Sequence, residues 1–508
     1  MEIIRRITVD DQSRSAIRAA IASSLPAAVC LLLALAVGVA LPIVISLPKT
    51  LAVLACLAIC GLFALVVVSV INLPLTPILR LSLLASFWFQ MEVNFFPIFK
   101  NHAEPPGFNV SLMLILSALL AAAWLGKRWQ GKEREKVLPL PVSLTLVGLW
   151  LWCSLTVAYG EEGMLGIYAL WTISASMLMC FVVAAQFSGR RALQQLLIGL
   201  AVMIAFNAIL GIAQHLFPSE ANSPIGVQPD ETLVVVKGEE VSRVRALLGS
   251  PNSFAWTLGV FLPLIIAPLL LQVTSLRRWQ RLLLVVAVGL GMIALILTYS
   301  RGSWIAFTVS VLLMTVMAGF ILKAKERKRL IFRFAGVVIM TGLLAIPFSD
   351  EIVSRLADDD RGAAEVRLPL IQVALAMIAD NPAFGVGPSS YGSVMRNYDE
   401  TPGLVTEHFD WPVHNVYLLI AAETGLPGLL LFLALVIIAS GRGWMVLRNS
   451  SADPTLRALA LGLLVGMAAY LITGLKEASS FQTGMMRPFF LLCGLLLANE
   501  RASRRAAE

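Results

Sequence analysis

Apolar runs long enough to cross a bilayer recur from residue 24 almost to the end of this chain. A helix needs about 20 mostly apolar residues for that crossing. Backbone groups in hydrocarbon must be paired within their own segment, so each run predicts a helix. The runs read 24–46, 50–70, 78–98, 108–125, 137–159, 164–187, 193–216, 252–273, 282–299, 304–322, 332–348, 412–440, 456–474 and 487–499. The expectation is an all-α, polytopic integral membrane protein of about fourteen transmembrane helices, with twelve as the alternative count. Composition agrees: 58% of residues are hydrophobic and 14% charged, against about 25% charged in soluble domains.

Charge supplies the topology. Basic clusters stand at "RRITVDDQSRSAIR" near the start, at 126–136, 188–191, 276–281, 323–329, 441–448 and 501–505. Placing them all in the cytoplasm satisfies the positive-inside rule and puts both termini there. The opening "MEIIRRITVDDQSRSAIRAA" is too long and too mixed in charge for a signal n-region and reads as a cytoplasmic amphipathic lead. Two long polar loops then fall on the other side, 217–251 and 349–411. The chain divides into helices over 1–216, a first loop over 217–251, helices over 252–348, a large loop over 349–411 and helices over 412–508. Within the first loop, "TLVVVKGEEVSRVRAL" predicts a hairpin around Lys237-Gly238. Within the second, "AEVRLPLIQVALAMIAD" has its apolar residues at helical spacing.

Several function classes drop out. The net charge of +8 belongs to these loops, and no basic run interleaved with aromatics marks a nucleic-acid surface. Cys30, Cys56, Cys60, Cys153, Cys180 and Cys493 all fall in apolar segments, where packing accounts for them, although Cys56 and Cys60 stand one helical turn apart. They form no disulfide framework or zinc spacing. Asp358-Asp359-Asp360 lacks a histidine or a spaced carboxylate partner and reads as solvated loop rather than a metal site.

The polar residues of the extra-cytoplasmic face are the candidates for chemistry. "LTYSRGSWIAF" joins two apolar helices with almost no loop and places Arg301 at the membrane boundary. It can snorkel to lipid phosphates or bind an anionic ligand. Arg367 lies on the loop helix, where a solvated face is the simpler alternative. Arg243 and Arg245 occupy one face of a predicted strand before a helix start at 250–252, where a hairpin rim is the simpler alternative. Asp410 and Pro412 suit a helix start, which puts His414 in the first turn. There the helix dipole and nearby arginines would depress its pKa and leave it able to accept a proton. Gly425, Pro427 and Gly428 predict a kink or an unwound turn roughly 16 Å further along the helix. Glu92 and Glu423 are ionisable residues in apolar segments, ranked below the arginines. His102 and His408 are in loops, and His215 ends an apolar helix.

His414-Asn415, nine residues, Gly425, two residues and Gly428 fill every position of the motif of the O-antigen ligase family. "SRG" at 300–302, "GSPNSFA" at a helix start, and an arginine-bearing loop helix running into "NPAFGVG" also resemble that family. It shares a superfamily with the Wzy-type O-antigen polymerases. The resemblance covers about 245 to 440; the first 190 residues resemble the family only as generic membrane helices.

The resemblance implies a GT-C-like, metal-independent inverting glycosyltransferase without cofactors. It would face the periplasm from the bacterial inner membrane and move glycan from undecaprenyl diphosphate to lipid A-core. His414 would then be the catalytic base, Arg301 and Arg367 would bind the diphosphate, and Arg245 and Asn415 would be further substrate-binding candidates. The alternatives are a Wzy-type polymerase, transfer to protein hydroxyls, and a bicarbonate or other small-solute transporter. A transporter should show paired broken helices with polar residues near the midplane, whereas this sequence shows one.

Overall fold

The computed structural model describes residues 75–88, 92–96, 107–131, 133, 135–217, 233–236, 239–322, 324–357, 363–477 and 483–507. The chain divides into two compact units, 1–79 and 80–508, and the second is described below. The predicted spans 24–46 and 50–70, Cys30, Cys56, Cys60, His102, the Lys237-Gly238 tip and Asp358–Asp360 lie outside the described residues.

Helix α1 (Leu75–Trp88) is followed by strands β1 (Glu92–Phe95) and β2 (Phe108–Ser111), then α2 (Leu112–Trp129), α3 (Leu140–Tyr159), α4 (Gly163–Gln186) and α5 (Arg190–Leu216). Strands β3 (Leu233–Val236) and β4 (Glu239–Ser242) precede α6 (Pro251–Leu270), α7 (Arg278–Leu297), α8 (Arg301–Ile321), α9 (Ala324–Ala345), α10 (Ser349–Ala357) and α11 (Ala363–Asp380). The chain closes with α12 (Val416–Arg448), α13 (Pro454–Thr473) and α14 (Thr483–Arg505). Among the described residues nine helices are long and apolar enough to cross a membrane, namely α2 to α8, α12 and α13.

Several sequence expectations need correction. The run 78–98 is not one helix: α1 stops at Trp88, and β1 pairs antiparallel with β2, Val93 opposite Val110 and Phe95 opposite Phe108. Alternating apolar side chains suit a strand there, and Glu92 is held by Arg487 of α14 at 2.6 Å. The predicted hairpin forms as β3–β4, with Val234 opposite Val241. It ends at Ser242, however, so Arg243 and Arg245 follow the strand instead of lying on its face.

Helix α6 is the most enclosed candidate span, 89% buried in its most apolar window. Gly462 and Gly466 of α13, in "GLLVG", bring the α13 backbone against Pro263, Leu264 and Val260 of α6, where a Cβ would collide with main chain. Small residues four apart are the usual means of close helix approach in membranes.

The bundle has two chemically distinct ends. At one, Arg190 meets Asp453 at 3.1 Å, Arg505 bonds both Ser188 and Glu133, and Arg333 donates to the Leu270 carbonyl. The basic segments therefore collect together. At the other, Gln214 Oε1 accepts from Ala246 N–H at 2.9 Å, Val244 N–H donates to Leu297, and Val416 N–H donates to Gly474. The two polar loops gather here.

The predicted break in α12 is present and has a specific filling. Gly425 adopts φ 69°, ψ 176°, and Pro427 has no N–H to offer the Glu423 carbonyl. Four backbone groups that a continuous helix would pair internally are bonded from outside. The Ala422 carbonyl accepts from Val386 N–H at 2.9 Å and the Glu423 carbonyl from Gly387 N–H at 3.0 Å. Leu426 N–H donates to the Pro382 carbonyl at 2.9 Å. The Thr424 carbonyl accepts from Trp152 Nε1 at 2.8 Å. Phe384 is stacked between Trp152 and Tyr159, with ring centroids 5.4 and 4.6 Å away. The segment 382–387 after α11 is thus clasped into the break. Gly385, at φ 65°, lies against the Glu423 main chain, and Gly425 against Ala383.

Substituting either glycine by alanine combines a left-handed backbone with a collision. Gly385→Ala and Gly425→Ala should each destabilise the folded protein by about 1–3 kcal/mol or more. Thermal unfolding in detergent checks this, with Gly441→Ala, which has open space around it, expected to match the wild type.

Candidate active site

The clasp fixes α11 against α12. Val373, Ala374 and Met377 of α11 bury themselves with Val386, Tyr391, Val413, Leu419 and Ala422 in a small core of their own. This core carries Arg367, on the exposed side of the first turns of α11, to the start of α12.

The start itself differs from expectation. Helix α12 begins at Val416, not near Asp410 and Pro412, because Asn415 is its N-cap: Oδ1 accepts from Tyr417 N–H at 3.0 Å and Leu418 N–H at 3.1 Å. Such a cap satisfies helix donors that have no partner inside the helix. Asn415 Oδ1 is committed to the cap, so a substrate would meet its amide nitrogen. His414 lies just outside the helix. Asn415 N–H donates to the Val413 carbonyl at 2.8 Å, which makes His414 the middle residue of a three-residue turn.

His414 is half-buried, with the Phe409 ring 6.0 Å from its own. Its Nδ1 is buried, which leaves Nε2 as the nitrogen that can meet a substrate. Burial is the main cause that lowers its pKa from the ordinary 6.5; Arg367 and Lys476 act in the same direction, while Glu477 and the Pro412 carbonyl oppose them. The net direction is down, and the ring is neutral near pH 7.

Lys476 and Glu477 were not singled out from the sequence. They form an ion pair at 2.9 Å in the turn after α13. Lys476 also donates to Ser300 Oγ at 3.4 Å, and its stem covers Gly302. It therefore links His414 to the SRG turn, where α7 ends at Leu297 and half-buried Arg301 opens α8. The available signal was two charges, "KE", at the end of an apolar helix opposite to every basic cluster.

Arg245 is placed differently from the other candidates. It is buried, with Nη1 donating to the Gly249 carbonyl of its own loop at 3.3 Å. Its neighbour Arg243 reaches the SRG turn instead, donating to the Thr298 carbonyl at 2.8 Å and to Asn252 at 2.7 Å. Glu423 is buried at the clasp, its Oε1 accepting from Tyr391 N–H at 3.4 Å. His408, in the loop before α12, is exposed, and His215 lies with its ring centroid 6.5 Å from that of Phe348.

The arrangement offers a neutral imidazole with the charges of Arg367 and Lys476 acting on it. Because folding makes His414 harder to protonate, its contribution to stability is complete above pH 6.5 and is lost as pH falls through the depressed value. Any activity that needs the neutral ring should therefore fall on the acid side with a midpoint below 6.5. Arg367→Gln should raise that midpoint by removing a cation, and Glu477→Gln should lower it further. Rate–pH profiles of the two variants check both signs.

Residues 282–433 match the family model described as O-antigen ligase. No curated protein matches the chain. The matched span contains the SRG turn, α11, segment 382–387 and His414, and over that span the chain is similar to the O-antigen ligase family.

Proposed function

We propose that the protein is a glycosyltransferase that moves glycan from undecaprenyl diphosphate to a hydroxyl of lipid A-core at the periplasmic face of the inner membrane. The observation that carries the reading is His414: a neutral imidazole, fixed at a turn, with the charges of Arg367 and Lys476 acting on it. The collection of basic loops at the opposite end of the bundle supports a periplasmic site.

In this reading His414 Nε2 accepts the proton of the acceptor hydroxyl. The hydroxyl oxygen forms a bond to the anomeric carbon from the face opposite the diphosphate. The bond from that carbon to the phosphate oxygen breaks, and its electron pair leaves on the diphosphate. Attack from the opposite face inverts the anomeric centre. Arg301 and Arg367 bind the leaving diphosphate through the planar guanidinium fork, which suits phosphate oxygens in pairs. Lys476 adds a point charge beside them. Asn415 offers its amide nitrogen to a sugar, and Arg245 holds the loop that precedes α6.

Transfer by purified protein from a lipid-diphosphate glycan to lipid A-core tests the reading. His414→Ala should lower the rate about 10²–10⁴-fold, the usual range for general-base help, with donor binding retained. His414→Gln should be equally slow; near-normal turnover would remove His414 as the base. Arg301→Lys and Arg367→Lys should both be impaired although charge is kept, and activity should survive EDTA. In cells, deletion should leave polymer on its lipid carrier and uncapped lipid A-core; a single-repeat product would instead identify a polymerase, with another lipid-linked repeat as acceptor.

A further inference from the structure

At the end of the bundle where the basic segments meet, an open cleft of about 410 Å³ lies between the C-terminal turns of α2, the linker into α3, and α4. Its walls are Trp124, Arg128, Lys136, Leu138, Leu140 and Phe181, among others. Polar and apolar parts are sorted within it. The Arg128 guanidinium lies 5.4 Å over the Trp124 ring, and Lys136 stands exposed on the linker. Phe181 meets Trp124 edge-on at 4.9 Å. Leu140 of the cleft wall is 68% exposed, and Trp129, outside the cleft, is 94% exposed.

The nearby acids do not neutralise these cations. Glu133 and Glu135 are engaged by the last helix, Glu133 with Arg505 at 3.0 Å and Glu135 with Arg501 at 3.1 Å. What remains is two exposed cations beside an apolar rim. We infer that this cleft binds an anionic phospholipid, with the headgroup phosphate between Arg128 and Lys136 and the acyl chains along Leu138, Leu140 and Phe181. Basic pockets between helices at the positively charged side of membrane proteins are suited to such headgroups. The inference is independent of the glycosyl-transfer reading, since no residue is shared.

The test titrates phosphatidylglycerol into the full-length protein in neutral detergent and reads bound lipid by native mass spectrometry. Wild type should bind phosphatidylglycerol in preference to phosphatidylcholine. The double variant Arg128→Gln/Lys136→Gln should bind it roughly thirty-fold more weakly, as expected for two lost cations. Arg277→Gln/Arg278→Gln, at the same end but outside the cleft, should keep wild-type affinity. Both double variants replace exposed side chains, so their unfolding temperatures in lipid-free detergent should be unchanged. The proposal is overturned if the cleft variant retains wild-type affinity, if the control variant loses as much, or if phosphatidylcholine binds equally well.

Discussion

A break in the middle of an apolar helix leaves backbone groups without partners in a region that has no water, and each costs about 1–3 kcal/mol if nothing replaces the lost bond. In α12 the replacements come from a segment of chain about forty residues earlier, 382–387, and from Trp152. Satisfying the helix and docking the loop are therefore one event. Gly385 and Gly425 permit it by letting two main chains touch in conformations that suit glycine.

The site follows from this clasp. Segment 382–387 is the direct continuation of α11, so once docked it fixes the helix that carries Arg367. The start of α12 is pinned separately, by the Asn415 cap and by the bond from Val416 to Gly474. The second of these also brings in the turn that carries Lys476 and Glu477, and Lys476 continues to Ser300. Charges from two separate parts of the chain, α11 and the turn after α13, thus meet around one histidine held by its neighbours' backbone. Rigid elements supply the positions, and the burial of His414 supplies its neutral state, an arrangement that spares reorganisation when charge develops.

Much of this was legible from residue order because it depends on local rules. Hydropathy located the nine candidate spans among the described residues, the start of α6 near 250–252 and the SRG turn were readable from residue order, and Gly425-Leu426-Pro427-Gly428 announced the break. The errors came where tertiary contacts outweighed local pattern. The run 78–98 looked like one span, yet its second half pairs as a strand and is held by Arg487, almost four hundred residues away. Pro412 resembled a first-turn proline, but Asn415 caps better and sets the start. Lys476 and Glu477 carry no motif; only the fold brings them to His414. Nothing in the sequence said that "PAFGVG" fills the break, because the two segments have complementary backbones and unremarkable side chains.

The central claim is that docking of 382–387 into the α12 break holds α11 in place over the start of α12. A distance measurement between spin labels tests it directly, with one label at Leu375 on α11 and the other at Leu430 on α12, both exposed, in a cysteine-free background. The account predicts one narrow distance distribution in the otherwise wild-type protein and a broader or longer one in Gly385→Ala. Superimposable distributions in the two proteins would contradict it.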